Sequence, residues 1–153
     1  MPYAFTPLST LANTDPIAWA RDHSTTCRLG PNYLDTVQRI TRTDINRNCW
    51  MVSTQGEVIG LIDVEKSEGG SEAWIALAVH PSFRNRGHGR SILLSWLGTP
   101  MALPPTTVSA GIEADHLASI RCFRAAGFTP TTLLPDHQGM YTFRKLLSAC
   151  PRT

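Results

Sequence analysis

The sequence predicts a mixed α/β sandwich built around one β-sheet. Residues 33–42 place apolar side chains at 34, 37 and 40, which is helical spacing. Residues 49–66 instead carry β-branched and apolar runs that are typical of strands. The segment AWIALAV at 73–79 is almost continuously apolar, as in a strand buried on both faces. The predicted order of elements is β-α-α-β-β-β-α-β-α-β-β, which suits helices packed on a sheet.

Composition narrows the class of protein. The 153 residues suffice for one domain with a sizeable core, and we expect a single domain over 1–153. The chain is 42% hydrophobic and 17% charged, as in ordinary globular proteins. A net charge of +2 is too small to indicate a nucleic-acid or membrane partner. Because neither a signal peptide nor a bilayer-spanning run is evident, we expect a cytoplasmic protein.

The four cysteines show no pattern of a metal site. Cys27, Cys49, Cys122 and Cys150 form no C-x-x-C pair and no Cys/His ligand spacing. We therefore expect four reduced thiols and no bound metal.

The N-terminal part predicts one strand and two helices. The strand lies within residues 2–9. Asp15 resembles an N-cap, with Pro16 at the first position of a helix through IAWARDH. After the break GPN at 30–32, the second helix covers 33–42.

The middle of the chain predicts a β-hairpin followed by a buried strand. The strands 49–54 and 57–66 are separated by Gln55 and Gly56, which is a hairpin signature. The apolar strand 73–79 then ends at His80-Pro81.

The C-terminal part predicts a helix at 89–98 and a strand at 106–112. A helix follows, with Asp115 as its N-cap and Gly127 just past its end. Two closing strands are expected in FTPTTLL and GMYTFRKLL.

The loop RNRGHGR at 84–90 lies between the buried strand and the third helix. Gly87 and Gly89 have no Cβ, so the backbone can take positive φ and approach an anion closely. The free N–H groups and dipole of the helix start add to this attraction. The loop suits a pyrophosphate, although it lacks both the G-K-[ST] of a Walker loop and the dinucleotide fingerprint.

Two segments together resemble one family. VHPSFRNRGHGR (79–90) resembles the acetyl-CoA-binding motif of the GNAT N-acetyltransferase superfamily, and IEADHLASIRCFRAAGF (112–128) is similar to a later helix of the same family. The resemblance is clear from about residue 48 to 146 and looser before it. It implies a mixed central sheet with helices on both faces and a splayed strand pair that holds acetyl-CoA.

The resemblance also implies where acetyl-CoA binds. The amides of 84–90 would hold the pyrophosphate, and the strand edge at 77–79 would pair with the pantetheine arm. A backbone N–H near Val79 would polarise the thioester carbonyl. The cofactor-binding residues implied are Leu77, Ala78, Val79, Arg84, Asn85, Arg86, Gly87, His88, Gly89, Arg90, His116 and Phe123.

The sequence departs from the family at two positions of that helix. His116 stands where the family has an asparagine that contacts the cofactor, and Phe123 where it often has a tyrosine general acid. Cys122 and Tyr141 are candidate replacements for the acid.

Several carboxylates are candidates for the base. Some relatives carry a glutamate where this chain has Gly111, and Glu113 would share the same strand face two residues on. Glu113 could equally be a helix N-terminal charge. Asp63 and Glu72 are further candidates, and the acidic residues between 57 and 72 could attract a cationic amine.

The implied reaction is direct attack of a neutral primary amine on the thioester of acetyl-CoA. The acceptor would be a small molecule or a protein N-terminus, and a homodimer is compatible with the sequence without being specified by it. The alternative is a GNAT-like module that binds CoA without turnover, which Phe123 and Gly111 favour. A nucleic-acid binder is disfavoured because basic stretches interleaved with aromatic residues are missing.

Overall fold

The computed structural model describes residues 2–99 and 104–147, which contain a seven-stranded sheet. Its strands are β1 (Ala4–Pro7), β2 (Arg47–Thr54), β3 (Glu57–Lys66), β4 (Glu72–Val79), β5 (Thr107–Glu113), β6 (Thr129–Pro130) and β7 (Met140–Leu146). They lie in the order β1-β2-β3-β4-β5-β7-β6. The β4–β5 pair is parallel and the other pairs are antiparallel, which confirms the mixed sheet.

Helices cover both faces of the sheet, as predicted. They are α1 (His23–Leu29), α2 (Tyr33–Thr43), α3 (His88–Leu97) and α4 (Leu117–Ala125). Neighbours in a strand point to opposite faces, and Leu61 and Ile62 of β3 belong to different cores. Leu61 packs with the buried side chains of α2, and Ile62 with those of α3 and α4. No helix of the described ranges combines the length and apolarity that a membrane span requires.

The predicted β2–β3 hairpin is confirmed. Gln55 and Gly56 both adopt positive φ, of 52° and 79°. Two successive left-handed residues make the type I′ turn that matches the twist of paired strands.

The first predicted helix is wrong in its position. Asp15–Arg21 forms a 3₁₀ segment interrupted by non-helical Ile17, and α1 begins only at His23. The reason is a second cap: the carboxylate of Asp22 accepts a hydrogen bond from the Ser24 N–H at 3.2 Å. The cap at Asp22 therefore ends the 3₁₀ segment and starts α1.

Two details of the C-terminal part also differ from expectation. His116, not Asp115, occupies the N-cap of α4, because the Asp115 carboxylate bonds to Arg28 instead. The strand predicted in FTPTTLL is reduced to Thr129–Pro130, since Pro130 has no N–H to extend the ladder. Gly127, with a φ of 94°, does end α4 as predicted.

The feature that positions the site is a separation between β4 and β5. Their pairing covers 72–74 against 107–109 and goes no further. On its other side β4 remains paired with β3 as far as Val79. The C-terminal halves of β4 and β5 therefore diverge, as the family resemblance implied, and leave one edge of β4 open.

Candidate active site

A cleft of about 460 Å³ lies at the divergence of β4 and β5. It is lined by the end of β4, the start of α3, one side of α4 and residues of α1. Every predicted cofactor-binding residue except Arg86 lines it. The structure thus brings together residues that the sequence separates by some forty positions.

The turn before α3 presents backbone donors to this cleft. Asn85 and Gly87 have φ values of 61° and 80°, with Arg86 between them outside the left-handed region. Residues of alternating hand turn successive N–H groups toward one point, which forms an anion-binding nest. The first helical bond of α3 runs from Ser91 to Gly87 at 3.2 Å. The N–H groups of residues 88–90 therefore precede the intrahelical ladder and remain available to an anion.

The two glycines of this turn are required for different reasons. A Cβ on Gly87 would meet nothing within 4 Å, so its positive φ is what favours glycine. Gly89 is crowded instead: a Cβ there would lie 2.7 Å from the Sγ of Cys122. Gly87 thus shapes the turn, whereas Gly89 lets α3 approach α4.

The arginine side chains of the turn mostly have partners within the protein. Arg84 donates to the Val79 carbonyl at 2.9 Å and to the hydroxyls of Ser24 and Thr25 at 2.8 and 2.9 Å. Arg86 stacks over the Phe83 ring at 5.7 Å. Arg84 therefore ties α1 to the end of β4, and the backbone N–H groups of the turn are the donors that it leaves facing the cleft.

The open edge of β4 offers backbone groups to an extended ligand. His80 donates its N–H to Ile59 of β3 at 2.8 Å, so the groups of Val79 and Leu77 face the opposite, open side. Because the Val79 carbonyl is taken by Arg84, its N–H is the group left for a ligand.

A smaller slot of about 70 Å³ continues the cleft between the diverging strands. Leu77, Gly111, His116, Phe123 and Met140 are among the residues that line it. His116 and Phe123 line both the cleft and the slot. A group bound along β4 would therefore reach the slot beside these two side chains.

Glu113 lies at the slot, but its carboxylate is engaged. Arg28 of α1 donates to Glu113 at 3.0 Å and to Asp115 at 2.8 Å. These partners, Asp115 foremost, raise the pKa of Arg28. Sequence reasoning missed Arg28, since it lies in the part of the chain where the family resemblance is loose.

The two acid candidates occupy different environments. Cys122 lines the cleft, and burial raises the pKa of its thiol to about 11. Tyr141 lines neither the cleft nor the slot; it packs edge-on against Phe143 in the core, with ring centroids 6.1 Å apart. Phe123 is 3% exposed and meets Phe128 edge-on at 5.1 Å.

His116 is half-buried at the N-cap of α4. Burial is the main cause that lowers the pKa of its imidazole, and the nearby Arg28 acts in the same direction. The neutral ring is therefore the favoured form near neutral pH.

Asp63 is placed away from this site. Its buried carboxylate accepts hydrogen bonds from Arg47 at 3.0 and 2.7 Å and from the Tyr33 hydroxyl at 3.2 Å. It shares the sheet face of Leu61, under α2. Glu72 lies at the paired end of β4, remote from the divergence.

Of the four cysteines, Cys27 is exposed, Cys49 is buried and Cys122 is partly buried, all with free thiols. Cys150 lies outside the described residues. In 2–99 and 104–147, no three His, Cys, Asp or Glu side chains come together as ligands for a metal.

A diverging strand pair beside a helix start rich in free N–H groups defines a class of α/β proteins that can hold a long phosphorylated cofactor along a strand edge. The model of the Acetyltransferase (GNAT) family matches residues 17–128, and the chain belongs to this family.

Known proteins are similar to this chain in sequence and, at lower identity, in fold. The uncharacterized N-acetyltransferase YfmK of Bacillus subtilis is 35% identical over 83 residues, or 54% of this chain. The match spans about half of that relative, 55% of its length.

Solved structures share the fold at lower identity. The N-acetyltransferase PseH of Campylobacter jejuni, in complex with acetyl coenzyme A, has a TM-score of 0.70 and 13% identity, covering 96% of this chain and all of that one (100%). The spermidine N-acetyltransferase of Vibrio cholerae, in complex with CoA and spermine, has a TM-score of 0.76 and 13% identity, covering 94% and 95% of the two chains.

Proposed function

We propose that this protein is an N-acetyltransferase that moves an acetyl group from acetyl-CoA to a primary amine by direct attack. One observation carries the proposal. The N–H-lined turn at α3 and the open edge of β4 border one continuous cleft, which leads into the slot between β4 and β5. This arrangement matches a donor with a pyrophosphate at one end and a thioester at the other.

The proposed binding mode follows the backbone groups. The amides of 84–90 receive the pyrophosphate, and the pantetheine arm lies against the open edge of β4 at 77–79. Arg84 contributes chiefly by keeping α1 at the end of β4. His116 and Phe123 border the path where the cleft narrows into the slot.

The proposed chemistry takes place at the slot. The N–H of Val79 donates to the thioester oxygen and stabilises the negative charge that develops there, as in an oxyanion hole. The amine nitrogen attacks the carbonyl carbon, a C–N bond forms, and the C–S bond then breaks with CoA leaving as a thiolate. Phe123 packs against the donor and excludes water, since it has no proton to give.

The second candidate is a module that binds CoA without turnover. Phe123 favours it, because the buried ring stands where a proton donor is expected and Tyr141 does not reach the cleft. A thiolate leaves readily without an acid, so we retain the enzyme as the first proposal.

The wider setting is also proposed. The acceptor is a small amine or a protein N-terminus, and the spermine bound by the Vibrio relative makes polyamines a natural member of the first panel. We further propose that residues 1–153 act as one domain in the cytoplasm, and that two copies could associate.

Two measurements test the proposal. Acetyl-CoA at about 100 times its Kd should stabilise the protein by about 2.7 kcal/mol, seen as a rise in Tm. Release of free thiol from acetyl-CoA should then depend on an added amine from a panel of polyamines, aminoglycosides, amino acids and peptides. A Tm rise without thiol release would support the CoA-binding module, and the absence of both would overturn each candidate.

A further inference from the structure

We propose that His116 is the general base of the reaction, taking the proton that the attacking amine loses. The inference rests on the proposed acetyl transfer and assigns a step of it to a residue that the family resemblance places only in cofactor binding.

Position is the first argument. His116 lies where the cleft enters the slot, and it lines both. Its backbone is fixed at both polar groups, because its N–H donates to the backbone carbonyl of Glu113 at 2.9 Å and its carbonyl accepts from the Ile120 N–H at 3.1 Å. The imidazole is thus set at the inner end of the cleft, on the same helix that carries Phe123 toward the slot.

Availability is the second argument. The carboxylate of Glu113 is paired with Arg28, and the thiol of Cys122 stays protonated near neutral pH because burial raises its pKa to about 11. No hydrogen bond within the described residues contributes to the titration of His116. Of Glu113, Cys122 and His116, the imidazole is the group that is neither paired with an arginine nor held protonated near neutral pH.

Charge is the third argument, and four charged groups face the ring from three elements. Arg28 of α1 and Arg84 of the turn disfavour the imidazolium, whereas Glu113 and Asp115 at the end of β5 favour it. Burial and the arginines lower its pKa, so the ring is neutral before reaction. The two carboxylates then stabilise the positive charge once a proton has arrived.

The proton that the amine loses ends on the CoA thiolate, so the reaction needs no further reagent. As the C–N bond forms, the amine N–H proton moves to an imidazole nitrogen of His116. As the C–S bond breaks, the electron pair leaves with sulfur, and the imidazolium returns the proton to the thiolate directly or through water. Imidazole can both take and give a proton in this range, so the ring is restored after each turnover.

The test compares His116→Asn with the wild-type protein. Asparagine is a good N-cap and can still hydrogen bond to the cofactor, but it cannot carry the proton. We expect acetyl-CoA affinity within about 3-fold of wild type and thiol release at saturating acetyl-CoA slower by about 100-fold. At acid pH the wild-type rate should fall more steeply than protonation of the amine alone requires, and this additional decline should be missing in His116→Asn. The control is His137→Asn, which changes an exposed histidine of the β6–β7 loop.

A second nucleophile sharpens the test. Hydroxylamine is already neutral at pH 7 and loses its proton more readily than an alkyl amine, so the defect of His116→Asn should shrink about 10-fold or more with it. An unchanged rate and pH profile in His116→Asn would overturn the inference and leave the proposed function intact. A rate loss that only parallels lost acetyl-CoA affinity would also overturn it. If wild type transfers acetyl to no amine, the proposed function itself fails, and the inference with it.

Discussion

The two ends of the cleft present different chemical groups to a ligand. The outer end, at the start of α3, uses backbone N–H groups whose directions depend on the conformation of residues 85–87. The inner end uses the side chains of Arg28, Glu113 and His116, which come from α1, β5 and the cap of α4. The outer end should therefore tolerate side chains that keep the backbone conformation and add no negative charge, whereas the inner end should depend on the identity of its side chains.

The largest effect should come from a charge placed at the outer end. Gly87→Glu puts a carboxylate where the pyrophosphate is proposed to lie, and like charges in contact cost several kcal/mol. We expect acetyl-CoA affinity to fall by more than about 100-fold, measured by isothermal titration calorimetry.

Gly87→Asn is the matched control for that variant. Asparagine tolerates positive φ better than other side chains, and a Cβ at this position meets nothing within 4 Å. Its affinity should stay within about 10-fold of wild type. If both variants bind acetyl-CoA normally, the turn does not hold the phosphates.

This contrast explains how much of the site could be predicted. Gly87 acts through local backbone geometry, so a short contiguous stretch suffices to predict the turn. Gly89 lies in the same stretch, but its close approach to Cys122 of α4 could not be predicted from it. The contact between Arg28 and Glu113 joins residues 85 positions apart, and no local sequence pattern predicts such a pair. The same holds for the fold: the hairpin at Gln55–Gly56 was predictable, whereas the competing cap at Asp22 displaced the first helix.

The next effect concerns the approach of α3 to α4. Gly89→Val should destabilise the protein by about 1–3 kcal/mol, since its Cβ would lie 2.7 Å from the Sγ of Cys122 and its methyl groups would crowd Leu77. Urea unfolding measures the loss. Adding Cys122→Ala should recover part of it, and a double-mutant cycle with no coupling would show that the contact is relieved elsewhere.

A smaller effect should follow from loosening α1. Arg84→Lys keeps the charge but loses at least part of the three-way hydrogen bonding to Val79, Ser24 and Thr25, which costs about 1–2 kcal/mol. Hydrogen exchange of the α1 amides should quicken. Arg86→Lys, whose arginine stacks on Phe83, is the comparison variant. Reduced acetyl-CoA affinity with unchanged exchange would instead make Arg84 a phosphate ligand.

The smallest change in stability should come from the inner end. Arg28→Gln breaks partly exposed ion pairs with Glu113 and Asp115, and such pairs contribute about 0.2–1 kcal/mol. Arg28→Gln should have a clearer effect on the pKa of His116 than on the stability of the protein. The guanidinium disfavours the imidazolium, while the two carboxylates favour it, so removing Arg28 should raise the pKa of His116.

NMR titration of the His116 ring in the free protein measures that shift directly. The part of the acid limb of the thiol-release profile that exceeds protonation of the amine should move to higher pH by the same amount, because protonation of His116 causes it. Arg39→Gln, an exposed change on α2, should move neither. If the pKa of His116 falls instead, Glu113 and Asp115 have moved away from the ring after the loss of Arg28 and no longer stabilise the imidazolium. If the ring titration moves but the rate profile does not, His116 does not take the proton in the reaction. The inner end of the cleft would then have no assigned base.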